Sequence, residues 1–357
     1  MTADWSLSKV YNPRPGWYRG ELHVHTVHSD GTHPPAQLAE WAKADGLDFL
    51  AITDHNRVDA FQQPYPPSDF LLIPGMEVTL QNGHFNVYGL QGRYDWLENV
   101  CIGMFTIKLS GKYETTTKLM RRTASLGLIN SMNHPMRTPF NWRDGETELQ
   151  YIHCLEIWNK PDAPDTNGSN SQAIALWTEW LKAGYRATAI GGSDHHTLKP
   201  FPGQKRSTER LGWPRNYVYA ENLSGAAILA GLCAHRVYVS MGPEVSFQAQ
   251  FNDTVYTIGA DLGEVAGEIR LLADVCDCPM PAHAYILKNG SIVAQAVVEE
   301  GRATVECVDT LHPAEPAWYR LDIYDEAGLM LAITNPIYTG PAKIPLLKTF
   351  GDFVEGI

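Results

Sequence analysis

The chain has 357 residues and a formal net charge of −12, from 28 basic and 40 acidic residues. Since a nucleic-acid backbone needs a basic surface, this balance argues against nucleic acid as a general partner, and no apolar run reaches the roughly 18 residues of a membrane helix. The first residues lack a secretory pattern and the six cysteines are scattered, so we expect a cytoplasmic protein with reduced thiols.

The first predicted element is a buried strand that runs into a polar turn. Leu22 and Val24 alternate with His23 and His25, and a period of two places both histidines on one face. Asp30 follows just beyond the strand end. Two imidazoles with a nearby carboxylate predict the start of a metal site; the alternative is one core histidine and one exposed histidine.

The same combination recurs further along the chain, where other apolar runs meet polar residues. These runs cover about residues 50–52, 70–79, 84–90, 129–134 and 187–196. The side chains at their ends are Asp54, His55, Glu77, His84, His134, Asp194, His195 and His196. The repetition predicts that several strand ends converge on one site.

Helix patterns separate these strands. Residues 35–45 begin with a proline, which suits a first helical turn, and are followed by Gly46. Three more helices are predicted at 113–126, 171–183 and 224–234, the last one before a strand at 236–240. Alternating strands and helices predict a parallel sheet, in which ligands bind at the carboxyl ends of the strands.

From about residue 244 the pattern changes to short strands with frequent turns. Asn289-Gly290 joins two strands within 285–293, which is the strongest short signal for a β-hairpin. Further strands are predicted at 303–308, 318–324 and 332–338. We therefore predict a β-sandwich that carries no metal-type cluster and serves as a structural cover or subunit contact.

As a set, the polar motifs resemble one known family. They are His23-x-His25 with Ser29-Asp30-Gly31, then Thr53-Asp54-His55-Asn56, Gly75-x-Glu77, Asn133-His134-Pro135 and Ser193-Asp194-x-His196. This set resembles the polymerase-and-histidinol-phosphatase (PHP) family of metallohydrolases. Gly83-His84-Phe85-Asn86 and Thr334-Asn335-Pro336-Ile337-Tyr338 are similar to its CehA/McbA-type branch, some of whose members cleave carbamate esters.

The resemblance, which covers roughly residues 16–243, implies a distorted (β/α)7 barrel. With the β-sandwich predicted from the strand pattern, we expect an α/β fold with the barrel over residues 1–243 and the sandwich over 244–357. The resemblance also implies two to three divalent ions at the barrel mouth. A first ion would be held by His23, His25, Glu77 and Asp194, a second by Glu77, His134 and His84, and a third by Asp30, His55 and His196. Mixed imidazole and carboxylate ligands suit Zn, Mn or Fe.

In this interpretation Glu77 bridges two ions, and Glu77, Asp194 and His196 are the catalytic residues around a metal-bridged hydroxide that attacks an ester. His84 is either a ligand or an outer partner of one. Asp54 is expected to orient an imidazole. Glu156 is left open between a metal ligand, a substrate contact and a structural acid.

Arg137 and His195 are the predicted substrate-binding residues. A guanidinium can pair with a phosphate in a forked geometry, although a surface salt bridge is the alternative for Arg137. The segment 196–216 carries several basic residues and is predicted as a lid over an anionic substrate or as a solvated loop. Those residues are Lys199, Lys205, Arg206, Arg210 and Arg215.

We predict a metal-dependent hydrolase of a small, anionic ester, with a phosphate ester as the first choice. A carboxylic or carbamate ester of the CehA/McbA type is the alternative. A non-catalytic metal-binding assembly domain is the rival of another class, which the near-complete ligand set disfavours. A membrane partner is not expected, and homo-oligomerisation is left open.

Overall fold

The computed structural model of the protein describes residues 5–62, 69–102, 106–107, 115–161, 168–197 and 210–354. The strands up to the predicted domain boundary are β1 (Gly16–Val24), β2 (Phe49–Ile52), β3 (Leu71–Leu80), β4 (Gly83–Tyr88), β5 (Cys101–Ile102), β6 (Thr106–Ile107), β7 (Ile129–Met132), β8 (Cys154–Asn159), β9 (Thr188–Gly192), β10 (Arg215–Ala220) and β11 (Val237–Ser240). The later strands are β12 (Glu244–Phe251), β13 (Thr254–Thr257), β14 (Gly267–Cys276), β15 (Ala282–Lys288), β16 (Ser291–Val298), β17 (Ala303–Leu311), β18 (Ala317–Asp325), β19 (Met330–Thr334) and β20 (Ile337–Thr339). The helices are α1 (Pro35–Ala44), α2 (Asp95–Glu98), α3 (Thr116–Ser125), α4 (Ser169–Ala183), α5 (Gly225–Cys233) and α6 (Gly351–Val354).

Seven strands form a barrel in the order β1-β2-β3-β4-β7-β8-β9. A parallel bridge between Val24 and His195 joins the segment after β9 back to β1 and closes the ring. Neighbouring strands are parallel except at β4, which pairs antiparallel with both β3 and β7. The predicted distorted (β/α)7 barrel is confirmed, and the reversed strand β4 is part of its distortion.

Helix α4 shows how the sequence covers the outside of this barrel. Its buried side chains recur at helical spacing, which gives one apolar stripe towards the sheet. Trp177 and Trp180 on this stripe are fully buried, and the Trp177 indole donates a hydrogen bond to the Ala187 carbonyl just before β9. The helix ends at Gly184, whose φ of 103° is the left-handed conformation that favours glycine.

The C-terminal strands form the predicted β-sandwich. One layer is the four-stranded sheet β13-β12-β14-β17, and the other contains β16-β15-β18-β19. Phe247 and Leu271 of the first layer share an apolar core with Ile286 and Leu321 of the second. Strand β19 also pairs with β11, so the second layer continues into the sheet of the barrel. The boundary between residues 243 and 244 therefore stays a prediction.

The predicted β-hairpin is confirmed, and one predicted strand is wrong. Asn289 and Gly290 join β15 to β16 with φ values of 50° and 86°, as a tight hairpin turn requires. The single strand predicted at 332–338 is instead two strands, β19 and β20. Between them Pro336 has no N–H for a ladder, and the Asn335 amide bonds to the carbonyls of β9 and β11 instead.

No helix in the described ranges is long and apolar enough to cross a membrane. The described thiols are free, as the scattered cysteine pattern predicted. They belong to Cys154, Cys233, Cys276, Cys278 and Cys307. The cytoplasmic location stays a prediction.

Candidate metal centre

The predicted site residues gather at one mouth of the barrel because of the strand directions. His25, His55, His134 and Asp194 each follow the carboxyl end of a parallel strand, which is where α/β barrels place their ligands. Strand β4 runs in the opposite direction, so its amino end faces the same mouth. This explains why His84 lies at the start of its strand.

Glu77 lies at the centre of the cluster. Its side chain is fully buried in β3, and the residue pairs with Asn86 of β4. Its Oε1 lies 3.3 Å from His23 Nε2, 3.3 Å from His84 Nδ1 and 3.4 Å from His134 Nε2, while its Oε2 lies 3.4 Å from His25 Nε2 and 2.8 Å from His55 Nδ1. Glu77 thus contacts imidazoles from four strand ends.

Two further carboxylates enclose the same imidazoles from the solvent side. Asp194 Oδ1 lies 3.1 Å from His25 Nε2, 3.5 Å from His23 Nε2 and 3.5 Å from His196 Nδ1. Asp30 lies 3.3 Å from His196 Nε2 and 3.6 Å from His55 Nε2. Both carboxylates are partly exposed, so the cluster opens towards solvent on this side.

These side chains form overlapping groups whose ligand atoms lie close enough to share an ion. The groups are His23, His25 and Asp194; His23, Glu77 and His134; His55, Glu77 and His84; and His25, Asp30, His55 and His196. Together they contain all the residues predicted as metal ligands. The structure brings them together, and their role as ligands stays a prediction.

Several buried polar atoms of this cluster make no hydrogen bond within the described part of the chain. They include Nε2 of His23, both ring nitrogens of His25 and Nδ1 of His84. Leaving such atoms unsatisfied costs free energy, and a divalent cation between them would remove that cost. The donor set of imidazoles and carboxylates therefore fits divalent metal ions.

The electrostatics of the cluster keep the carboxylates ionised. Burial would raise the pKa of Glu77, but the facing imidazoles, His23 first, hold it well below its usual range. Burial also opposes ionisation of Asp30, yet the hydrogen bond and charge of His196 lower its pKa to about 2. For His25, burial and the neighbouring His196 and His55 lower the pKa, which favours the neutral imidazole that binds metals.

Outer hydrogen bonds fix the orientation of the predicted ligands. The buried Glu156 accepts from His23 Nδ1 at 2.8 Å through Oε1 and from the backbone N–H of His134 at 2.8 Å through Oε2. The Asn133 amide donates to Glu77 Oε1 at 2.8 Å. Glu156 is thus a hydrogen-bonded acid that leaves His23 Nε2 directed at the cluster.

The prediction that Asp54 orients an imidazole is wrong. Its carboxylate accepts from the backbone N–H and hydroxyl of Thr26, both at 2.7 Å, and from the Ser29 hydroxyl at 2.7 Å. Because short hydroxyl and backbone donors surround it, Asp54 stabilises the turn between His25 and Asp30 instead.

The backbone is in the left-handed region at several points around the mouth. His134, Lys160 and Asp194 have φ values of 28°, 60° and 46°. Such values are uncommon for residues with a side chain, and they are often found at functional sites, where the surrounding structure offsets their cost. Each of these residues directly follows the end of a barrel strand or lies two residues beyond it.

The two predicted substrate-binding residues, Arg137 and His195, lie in different surroundings. Arg137 donates through Nη1 to the Asn159 side-chain oxygen, beside the Glu156 network. His195 is fully buried, and its ring stacks near that of His33 with centroids 6.4 Å apart. It is not part of the metal-type groups of the described residues. Full burial separates His195 from solvent, and its predicted contact with substrate stays a prediction.

The predicted lid after His196 falls largely outside the described residues, including Lys199, Lys205 and Arg206. Of its other basic residues, Arg210 packs on the Trp213 ring at 4.1 Å. Arg215 lies 6.0 Å from the same ring and donates to the Gly212 carbonyl.

Sequence reasoning missed three residues at the mouth. Asn159 donates to Glu156, and Lys160 lies 3.6 Å from Asp194 Oδ2 through Nζ. Glu21 is fully buried and accepts backbone N–H groups from β1, from Ser193 and from Gly212. A charged residue inside an apolar strand was the available signal for Glu21, whereas Lys160 gave no local signal.

Comparison with known proteins gives one family and several structural neighbours. Residues 21–159 match the PHP domain. A two-domain Bacteroides vulgatus protein containing a predicted PHP-like metal-dependent phosphoesterase is 16% identical, with 94% of this chain and 97% of that chain covered and a TM-score of 0.49. An amidohydrolase from Chromobacterium violaceum with bound sulfate is 14% identical, with 54% and 94% covered and a TM-score of 0.36. No curated protein matches the chain.

Proposed function

We propose that this protein, whose residues 21–159 match the PHP domain, is a metal-dependent hydrolase and that its substrate is a small phosphate ester. The observation that carries the proposal is the buried Glu77 carboxylate among imidazoles from four strand ends, closed on the solvent side by Asp30 and Asp194. The resemblance to the CehA/McbA-type branch stays a prediction.

The residues divide into those that hold ions and those that meet the ester. The four groups around Glu77, Asp194 and Asp30 would hold two to three ions of Zn, Mn or Fe. When bound, such ions act as Lewis acids on the ester and lower the pKa of water near neutrality. Glu156 and Asn133 keep the imidazole and carboxylate atoms aimed at the ions, and Asp194 and His196 lie on the open side, where substrate enters.

Arg137 supports a phosphate ester over a neutral one. Its guanidinium is anchored on Asn159, next to the acid that orients His23. A guanidinium in this place can make charge-assisted hydrogen bonds to phosphate oxygens that do not react. A neutral carboxylic ester offers no such charge.

The test compares p-nitrophenyl phosphate with p-nitrophenyl acetate after addition of Mn²⁺ or Zn²⁺. We expect metal-dependent turnover of the phosphate ester. Arg137→Ala should lower kcat/KM for it by about ten- to a hundredfold, because each charge-assisted bond is worth roughly 1.5–3 kcal/mol. Acetate turnover should change little. Arg270→Ala, which removes an exposed arginine paired with Glu306 on the sandwich, is the matched control.

Turnover of aryl acetates or carbamates without any turnover of phosphate esters would reject the phosphoesterase. If Arg137→Ala also left the acetate rate unchanged, the carbamate-type alternative would take its place.

A further inference from the structure

Lys160 is held in an unusual backbone conformation at the end of β8. Its φ of 60° is left-handed. Its backbone N–H donates to the Gly192 carbonyl at 2.9 Å, and its own carbonyl accepts from the Asn170 amide at 3.3 Å. Contacts to β9 and α4 thus fix a strained residue whose side chain leaves the barrel wall at the mouth.

The position of the Lys160 side chain places a positive charge at the rim of the metal-type cluster. Its Nζ lies 3.6 Å from Asp194 Oδ2, and its side chain is 15% exposed. The other oxygen of Asp194 faces His23 and His25. The ammonium is therefore separated from the predicted ligands by one carboxylate, and part of the Lys160 side chain is exposed at the mouth.

Arg137 provides a second cation through the neighbouring residue. It bonds to the Asn159 side chain, and Asn159 immediately precedes Lys160. The Asn159 amide also donates a hydrogen bond to Glu156 Oε2, and Glu156 Oε1 accepts one from His23 Nδ1. Two cations of different type are thus anchored on the same strand end, next to the carboxylate and the imidazole of one predicted ion site.

We propose that Lys160 is a specificity-determining residue that binds a non-reacting oxygen of a phosphate monoester and favours monoesters over diesters. The inference rests on the proposed function and extends it to a substrate class. At neutral pH a monoester carries nearly two negative charges, a diester carries one and a carboxylic ester carries none. A second cation beside Arg137 therefore favours the monoester most, because the electrostatic attraction between the cation and the ester grows with the negative charge on the ester.

The experiment compares Lys160→Met and Lys160→Arg with the wild-type protein, each loaded with Mn²⁺. Methionine keeps an unbranched side chain without the charge, and arginine keeps the charge. We expect Lys160→Met to lower kcat/KM for p-nitrophenyl phosphate about tenfold or more, bis(p-nitrophenyl) phosphate less, and p-nitrophenyl acetate hardly at all. Lys160→Arg should recover most of the monoester activity. Lys43→Met, at the exposed Lys43–Asp69 pair, is the matched control.

Binding of inorganic phosphate, measured by calorimetry, gives a readout that needs no turnover. Lys160→Met should weaken phosphate binding about tenfold while metal content stays unchanged. Equal losses on all three esters, or a loss of bound metal, would overturn the inference because Lys160 would then act through Asp194. Unchanged monoester turnover and phosphate binding would also overturn it.

The two proposals can fail separately. If the wild type turns over no phosphate ester, the phosphoesterase is rejected, yet weaker phosphate binding by Lys160→Met would still support Lys160 as an anion-binding residue. If phosphate esters are turned over with the same monoester preference in Lys160→Met, only the role of Lys160 is rejected.

Discussion

At the scale of single residues, Glu77 connects the parts of the candidate metal centre. Its two oxygens face imidazoles that come from β1, β2, β4 and β7. A buried carboxylate is stable in its charged form only when opposite charges or donors compensate the loss of water. Here the imidazoles and the Asn133 amide provide that compensation.

We predict that Glu77→Gln retains the fold and loses activity. The amide has the same shape, so the barrel packing is kept, but the negative charge that would offset two dications is gone. The fall in kcat/KM should exceed the about 10–100-fold that follows loss of an outer hydrogen-bond partner. Turnover of p-nitrophenyl phosphate measures the loss of activity, and thermal unfolding measures whether the fold is retained.

Glu179→Gln on the exposed side of α4 is the control for this substitution, since the exposed Glu179 pairs with Lys182 on the same helix. Near-wild-type kcat in Glu77→Gln would show that Glu77 does not bridge two ions.

At the scale of elements, strand direction decides which polar residues meet. The sequence shows where the apolar runs end. Since parallel strands place their carboxyl ends together, the polar residues at these ends could be predicted to meet. The reversal of β4 could not be read from the residues of that strand alone, although it determines why His84 reaches the mouth. The contacts of Glu156, Asn159 and Lys160 depend on β8 lying between β7 and β9, which local sequence does not encode.

The turn between α5 and β11 supports a prediction on stability. His235 has a φ of 57°, and its Nδ1 lies 2.7 Å from the Thr188 hydroxyl on β9. Burial first, and then the charge of Arg186, lower the pKa of His235 to about 4. Between about pH 4 and 6.5 the unfolded chain therefore binds the proton more readily, so the free energy of unfolding falls as the pH falls through this range.

For His235 alone, the free energy of unfolding should fall by about 3 kcal/mol between about pH 6.5 and 4. His235→Asn removes the titrating ring and suits a left-handed backbone. Denaturant unfolding of both proteins from pH 7 to 4.5 should show a smaller loss of stability in the variant. Parallel pH curves for the two proteins would contradict the assignment of this loss to His235.

At the scale of the whole molecule, several contacts among the described residues join the barrel to the C-terminal part of the chain. Strand β11 pairs with β19, which continues the sheet. The last described segment returns to the barrel, where Phe350 N–H donates to the Thr147 carbonyl at 2.9 Å and Tyr185 O–H donates to the Leu347 carbonyl at 2.7 Å. The structural role that the strand pattern suggested for the sandwich stays a prediction.

The β-sandwich was predicted from short strands and frequent turn signals. The described metal-type groups all lie in the barrel. Strands β12 to β14 were not predicted from the sequence. Their backbone pairing, of β12 with β14 and of β14 with β17, joins residues that lie far apart in the chain. Local patterns thus predicted the class of each part, and long-range pairing determined how the parts join.

The measurement that tests the central claim most directly is elemental analysis of the purified protein after loading with Mn²⁺ or Zn²⁺ and removal of free ions. We predict two to three divalent ions per chain. The double variant His23→Ala plus His25→Ala should lose at least one ion and all turnover, because both side chains belong to the groups around Glu77 and Asp194. Full metal content in the double variant, or less than one ion per chain in the wild type, would contradict the candidate metal centre.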